Sequence, residues 1–68
     1  MIDIQFELDE MHRYLMNNKF PYYSVSVIYR QQDLGFHIFF VENVRNKITE
    51  DIREEIDRND FSYSFVKE

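Results

Sequence analysis

The sequence predicts a small α+β fold, a two-layer sandwich in which an antiparallel sheet carries two helices on one face. Residues 22–30 and 36–41 alternate β-branched or aromatic residues with others, the period-two pattern typical of strands. Residues 48–60 follow a helical period instead, and residues 61–66 alternate again. The predicted order is αββαβ, within a single domain over residues 1–68.

The N-terminal segment fits two structures. As a helix over about residues 4–17, capped by Asp3 and ended before Pro21, it would place apolar residues on one face. These are Ile4, Leu8, Met11 and Leu15. Residues 2–8 also alternate as a strand would, which would give a ferredoxin-like βαββαβ order. We favour the helix.

The two central segments predict an antiparallel hairpin. The turn between them is expected at residues 31–35, because Asp33 and the single glycine, Gly35, are residue types that turns prefer.

The second helix has a recognisable start. Thr49 is a suitable N-cap, and acidic residues follow it in the first turn, where the helix dipole favours them. Lys47 with Asp51, and Glu54 with Arg58, have the spacing of i,i+4 ion pairs. The core side of the helix is expected to carry Ile48, Ile52 and Ile56.

These assignments predict one hydrophobic core between the helices and the sheet. Its expected members are Leu8, Met11, Leu15, Val25, Val27, Ile38, Phe40, Ile52, Ile56 and Phe65.

Composition excludes several classes of protein. The chain has no cysteine, so disulfides and thiolate metal sites are excluded. No apolar run reaches the ~18–20 residues of a membrane span, so we expect a soluble cytoplasmic protein, in the host cytoplasm if phage-encoded. A net charge of −5 and a pI near 4.9 argue against direct nucleic-acid binding and favour basic partners.

No catalytic, cofactor or metal motif is present. His12 and His37 lack the spacing of metal ligands, and one glycine cannot form a phosphate-binding loop. A chain this short is expected to have little room for a substrate cleft of about 300 Å³. The serines at alternate strand positions are expected to face water: Ser24, Ser26, Ser62 and Ser64. We therefore predict a protein that is not an enzyme.

Two surfaces are candidate partner sites. Residues 48–60 carry −4 of the net −5, and Glu50, Glu54 and Asp57 form one stripe opposite the isoleucines. This stripe is either a solvated face or a negative surface that docks on a basic one.

The second candidate lies on the middle strand. Its residues are apolar on both faces, and two helices cover only one face of a sheet. The expected partner-binding residues there are Phe39, His37 and Ile28.

The favoured function is a small stoichiometric inhibitor or regulator that docks its acidic helix on the nucleic-acid-binding surface of a partner protein. Short, acidic, motif-poor chains are common among phage-encoded antagonists of host defence, including anti-CRISPR proteins and DNA mimics. The likeness is one of type, without a shared motif. The alternative is a structural or assembly module that forms a homodimer through its sheet face.

Overall fold

The structure is a computed structural model, and it describes residues 3–67. The predicted order αββαβ is confirmed, with one short 3-10 helix that the sequence did not predict. The elements are α1 (Ile4–Asn17), β1 (Ser24–Tyr29), β2 (Leu34–Val41), the 3-10 helix (Glu42–Lys47), α2 (Glu50–Arg58) and β3 (Ser62–Val66).

Both helices begin at the predicted caps. The Asp3 carboxylate accepts a hydrogen bond from the Phe6 N–H at 3.2 Å, and Thr49 Oγ1 accepts one from the Ile52 N–H at 3.2 Å. Because α1 starts at Ile4, the alternative strand over residues 2–8 does not form; Ile2 itself lies outside the described residues.

The sheet is mixed, with strand order β1-β2-β3, so the expectation of a wholly antiparallel sheet is corrected. β1 and β2 form the antiparallel hairpin, but β3 runs parallel to β2. The segment between β2 and β3 contains both the 3-10 helix and α2. A helical crossover of that length carries the chain back to the end of the sheet where β2 began, which makes the next strand parallel.

The hairpin turn is shorter than predicted, and Gly35 lies within β2, opposite Ile28. The Arg30 N–H donates to the Asp33 carbonyl at 3.0 Å and closes the turn. The Arg30 guanidinium lies where a Cβ at position 35 would be, so a larger residue there would require this flexible side chain to move. From there Arg30 reaches the end of α2, where its Nη1 lies 3.1 Å from Asp60 Oδ2.

α1 and α2 pack on the same face of the sheet, as predicted, and enclose one core. The buried side chains are Met11, Leu15, Phe20, Ile38, Phe40, Ile52 and Ile56. The sequence did not predict Phe20. Leu8, in the first half of α1, is only half-buried. Val25, Val27 and Phe65 are also half-buried, because they lie on the two edge strands, at the margins of the sheet.

α1 ends in a Schellman motif. The Phe20 N–H donates to the Leu15 carbonyl at 3.0 Å, and the Lys19 N–H donates to the Met16 carbonyl at 3.1 Å. Lys19 adopts the left-handed conformation that this motif requires, with φ 61°. The motif turns Phe20 back into the core, which explains its burial.

α2 ends in the same way. The Phe61 N–H donates to the Ile56 carbonyl at 3.0 Å, the Asp60 N–H donates to the Asp57 carbonyl at 3.2 Å, and Asp60 has φ 56°. Both helices are therefore followed by the sequence Asn-x-Phe. After α2 this phenylalanine directly precedes β3, whereas residues 21–23 separate Phe20 from β1. Neither turn contains the glycine that usually occupies the left-handed position.

Candidate partner-binding surfaces

The acidic stripe, defined as Glu50, Glu54 and Asp57, lies on the solvent side of α2. All three side chains are exposed, and the opposite side of the helix buries Ile52 and Ile56. None of the three carboxylates takes part in an ion pair within residues 3–67. The structure thus presents three exposed carboxylates on one anchored helix, none of them in an ion pair within residues 3–67.

Ion pairing on α2 differs from the predicted pairs. Arg58 Nη1 contacts the Glu55 carboxylate instead of Glu54, and Lys47 forms no ion pair with Asp51 in the described part of the chain. Glu55 is the better partner because its carboxylate is already held in place by Tyr14. Within residues 3–67, Glu54 therefore forms no ion pair.

Tyr14 joins the two helices. Its hydroxyl donates to Glu55 Oε2, and it accepts a hydrogen bond from Asn59 Nδ2 at 3.1 Å. Burial, followed by the hydrogen bond to Glu55, raises the pKa of Tyr14. The hydrogen bond from Tyr14 lowers the pKa of the Glu55 carboxyl, and Arg58 adds to that effect. This contact fixes α2, and therefore the acidic stripe, relative to α1.

An open groove of about 650 Å³ lies between the end of α1 and α2. The expectation that so short a chain has little room for a cleft is therefore wrong, because the groove forms between the two helices and reaches the edge of the core. Phe20 and Ile52 contribute apolar lining. Its charged lining residues are Lys19, Lys47, Asp51, Glu54, Glu55 and Arg58. One member of the acidic stripe, Glu54, thus stands at the rim of this groove.

The second sheet face carries the other predicted partner residues. The ring of His37 lies 4.6 Å, centroid to centroid, from that of Phe39 on β2. Ile28 is at the opposite end of this face, where it pairs with Gly35. All three side chains are half-buried. His37 and Phe39 therefore form one local contact, and Ile28 is not part of it.

Ser62 and Ser64, which were expected to face water, are half-buried and hold the His37 ring. Nδ1 lies 2.8 Å from Ser62 Oγ, and Nε2 lies 2.9 Å from Ser64 Oγ. Both ring nitrogens have partners, so this face is more polar than predicted. The two serines line up with His37 only because β3 is parallel to β2 and Ser62 is in register with His37. The alternation of serine in residues 61–66 indicates that both serines share one sheet face. It does not indicate which residue of β2 they lie opposite.

The two histidines lie on different layers of the molecule. His12, on α1, places Nδ1 2.8 Å from the Tyr22 hydroxyl, whereas His37 lies on the sheet face that carries no helix among residues 3–67. Within the same residues, no group of three or more His, Cys, Asp or Glu side chains is arranged to hold a metal ion.

Comparison with protein-family models, with curated proteins and with solved structures finds no match to this chain. Among the described helices, none has both the length and the apolar character required to cross a membrane. What the protein does must therefore be inferred from its own surfaces.

Proposed function

We propose that this chain is a small non-enzymatic binding protein that docks the acidic stripe of α2 on a basic surface of a partner protein. The observation that supports this is that Glu50, Glu54 and Asp57 are exposed and free of ion pairs within residues 3–67. Of the two arginines on this helix, Arg58 is engaged by Glu55, and Arg53 forms no ion pair within residues 3–67.

The spacing of the stripe suits a surface that binds nucleic acid. Carboxylates one helical turn apart recur about every 5–6 Å along the helix axis. Phosphates along one DNA strand recur about every 3.4 Å of the helix axis, a spacing of the same order, so we propose that a groove lined by Arg and Lys accepts either. The protein would then compete with nucleic acid for its partner.

The stripe is also well anchored. α2 is capped by Thr49, is held in the core by Ile52 and Ile56, and is joined to α1 by Tyr14. A rigid helix loses little conformational entropy on docking, which favours binding.

The negative charge of the chain is expected to act mainly on the rate at which it associates with its partner. A chain with a net charge of −5 approaches a basic surface faster than a neutral one, and the rate falls as salt screens the field. An inhibitor of a nucleic-acid-binding enzyme fits this behaviour. A phage-encoded antagonist of host defence, of the DNA-mimic or anti-CRISPR type, is the setting that we propose for it.

The test is a charge reversal of the stripe. Glu50→Lys with Glu54→Lys and Asp57→Lys should weaken binding to a basic partner captured from host lysate at low salt, and should matter less at high salt. The partner should also be displaced by duplex DNA. The fold should persist, because all three side chains are exposed.

A matched control distinguishes the loss of the stripe from a change in net charge as the cause of weaker binding. Glu7→Lys with Asp9→Lys and Asp33→Lys changes the net charge equally but leaves α2 intact. We expect this variant to bind much more tightly than the stripe variant. Equal losses in the two variants, or no loss in the stripe variant, would contradict the proposal.

A further inference from the structure

One edge of the sheet is left open by the fold. β1 pairs with β2 on one side and with no strand of residues 3–67 on the other. The Arg30 N–H donates to the Asp33 carbonyl, so the even-numbered residues of β1 bond to β2. The backbone N–H and C=O groups of Val25, Val27 and Tyr29 therefore point out of the sheet.

This edge lacks the protection that edge strands usually carry. Natural edges are blocked by charged side chains or proline, yet residues 22–29 contain neither. Arg30 follows β1, but its side chain extends over Gly35 to Asp60 and so does not cover the edge. The other edge strand, β3, is different. The Arg45 guanidinium lies 3.9 Å from the centroid of the Phe65 ring, and Lys67 follows the strand directly. The open edge that can accept another strand is therefore that of β1.

We propose that β1 pairs antiparallel with β1 of a second copy of this chain, which joins two three-stranded sheets into one six-stranded sheet. A two-fold axis at Ser26 sets Val25 opposite Val27 of the second copy. It also sets Tyr23 opposite Tyr29 of the second copy. Within β1 the odd-numbered residues present free backbone groups at the edge, and this register pairs Val25 with Val27 through them. The Tyr23 N–H donates to the Phe39 carbonyl at 2.7 Å, so Tyr23 would meet Tyr29 of the second copy through its side chain. Every facing pair is uncharged, which matters for two chains that each carry −5.

The exposure of the two tyrosines supports a second copy as the occupant. Tyr23 is 68% exposed and Tyr29 is 73% exposed, the highest values among the large hydrophobic side chains of residues 3–67. Tyr23 directly precedes β1 and Tyr29 is its last residue, and each is three positions from Ser26. The symmetric pairing brings each against the other and covers both at once, as an isologous interface requires.

An exposed methionine on α1 points to the same side of the molecule. Tyr14 faces α2 through Glu55, and Met16 lies 200° further around α1, on the opposite side. His12, one turn before Met16, contacts Tyr22 just ahead of β1. Met16 is 67% exposed. In the six-stranded arrangement the two α1 helices lie next to each other across the axis, and Met16 gains an apolar neighbour.

The test uses two paired charge variants. Tyr23→Lys with Tyr29→Lys sets like charges opposite each other at both ends of the proposed pairing. Tyr23→Lys with Tyr29→Glu sets opposite charges there. We expect the wild type to approach twice 8.5 kDa as concentration rises in sedimentation or light-scattering measurements. The Lys/Lys variant should dimerise at least about tenfold more weakly than the Lys/Glu variant.

Two further variants separate this edge from other surfaces. Phe6→Lys, on the side of α1 opposite the core, should leave the dimer intact. Phe39→Glu, on the open sheet face, should also leave it intact. A wild type that stays monomeric at high concentration overturns the proposal. So does a dimer that Phe39→Glu dissociates, or one that responds equally to the Lys/Lys and Lys/Glu changes. None of these outcomes depends on the acidic stripe.

Discussion

Lys19→Gly should stabilise the protein. Lys19 holds φ 61° in the motif that ends α1, a conformation in which its Cβ is crowded. A left-handed conformation costs a residue other than glycine about 1–2 kcal/mol. Glycine avoids that cost but loses about 0.5–1 kcal/mol through the greater freedom of the unfolded chain. The net gain in the free energy of unfolding should be about 0.5–1 kcal/mol.

Thermal unfolding followed by circular dichroism measures this gain. In a domain of this size it should raise Tm by about 2–8 °C. Lys19→Ala is the matched control, because it removes the same side chain but keeps the Cβ, and it should leave Tm nearly unchanged. Asn18→Gly should lower Tm, since Asn18 has φ −94° and its Nδ2 donates to the Tyr14 carbonyl at 2.8 Å. If glycine and alanine at position 19 gave the same Tm, the argument from left-handed strain would fail.

Two other changes test the core and the contact between the helices. Leu15→Ala should lower the free energy of unfolding by about 2–5 kcal/mol in urea titrations, because Leu15 is fully buried. Met16→Ala, at the exposed neighbour, should have little effect, and equal losses would show that the buried face of α1 is misassigned. Tyr14→Phe should flatten the pH dependence of stability at both ends. The pKa of Glu55 is lowered from 4.5 in the folded state, so its contribution is present above pH 4.5 and is lost as pH falls through the folded value. The pKa of Tyr14 is raised from 10.0, so its contribution is present below pH 10.0 and is lost as pH rises through the folded value. A Tyr14→Phe profile that parallels the wild type would contradict this account.

The helices and the hairpin could be predicted because their signals are local. A capping side chain, a helical period and a period-two alternation each act within a few residues, as at Asp3 and Thr49. The direction of β3 could not be predicted, because it depends on the path of residues 42–61 and not on the strand itself. The burial of Phe20 was missed because a lysine occupies the left-handed position where a glycine would have indicated the turn.

The candidate surfaces were predictable to different degrees. The acidic stripe follows from spacing on one helix, and its three residues lie where the period places them. The His37 cluster joins two strands, so its contacts depend on a register that the sequence does not specify. The sequence shows that β1 is uncharged, but it does not show that β1 lies at the edge of the sheet. Predicting the open edge would have required the strand order as well.

The parallel pairing of β2 with β3 has a consequence for the order of folding during synthesis. The β1–β2 pairs join residues 5 to 15 positions apart, whereas every β2–β3 pair joins residues 25 positions apart. A ribosome that adds about 5–20 residues per second needs roughly one to five seconds to proceed from the end of β2 to the end of β3. During that interval the nascent chain can hold its hairpin, but β2 remains an edge. The hydroxyl groups that later hold the His37 ring are then among the last parts of the fold to arrive.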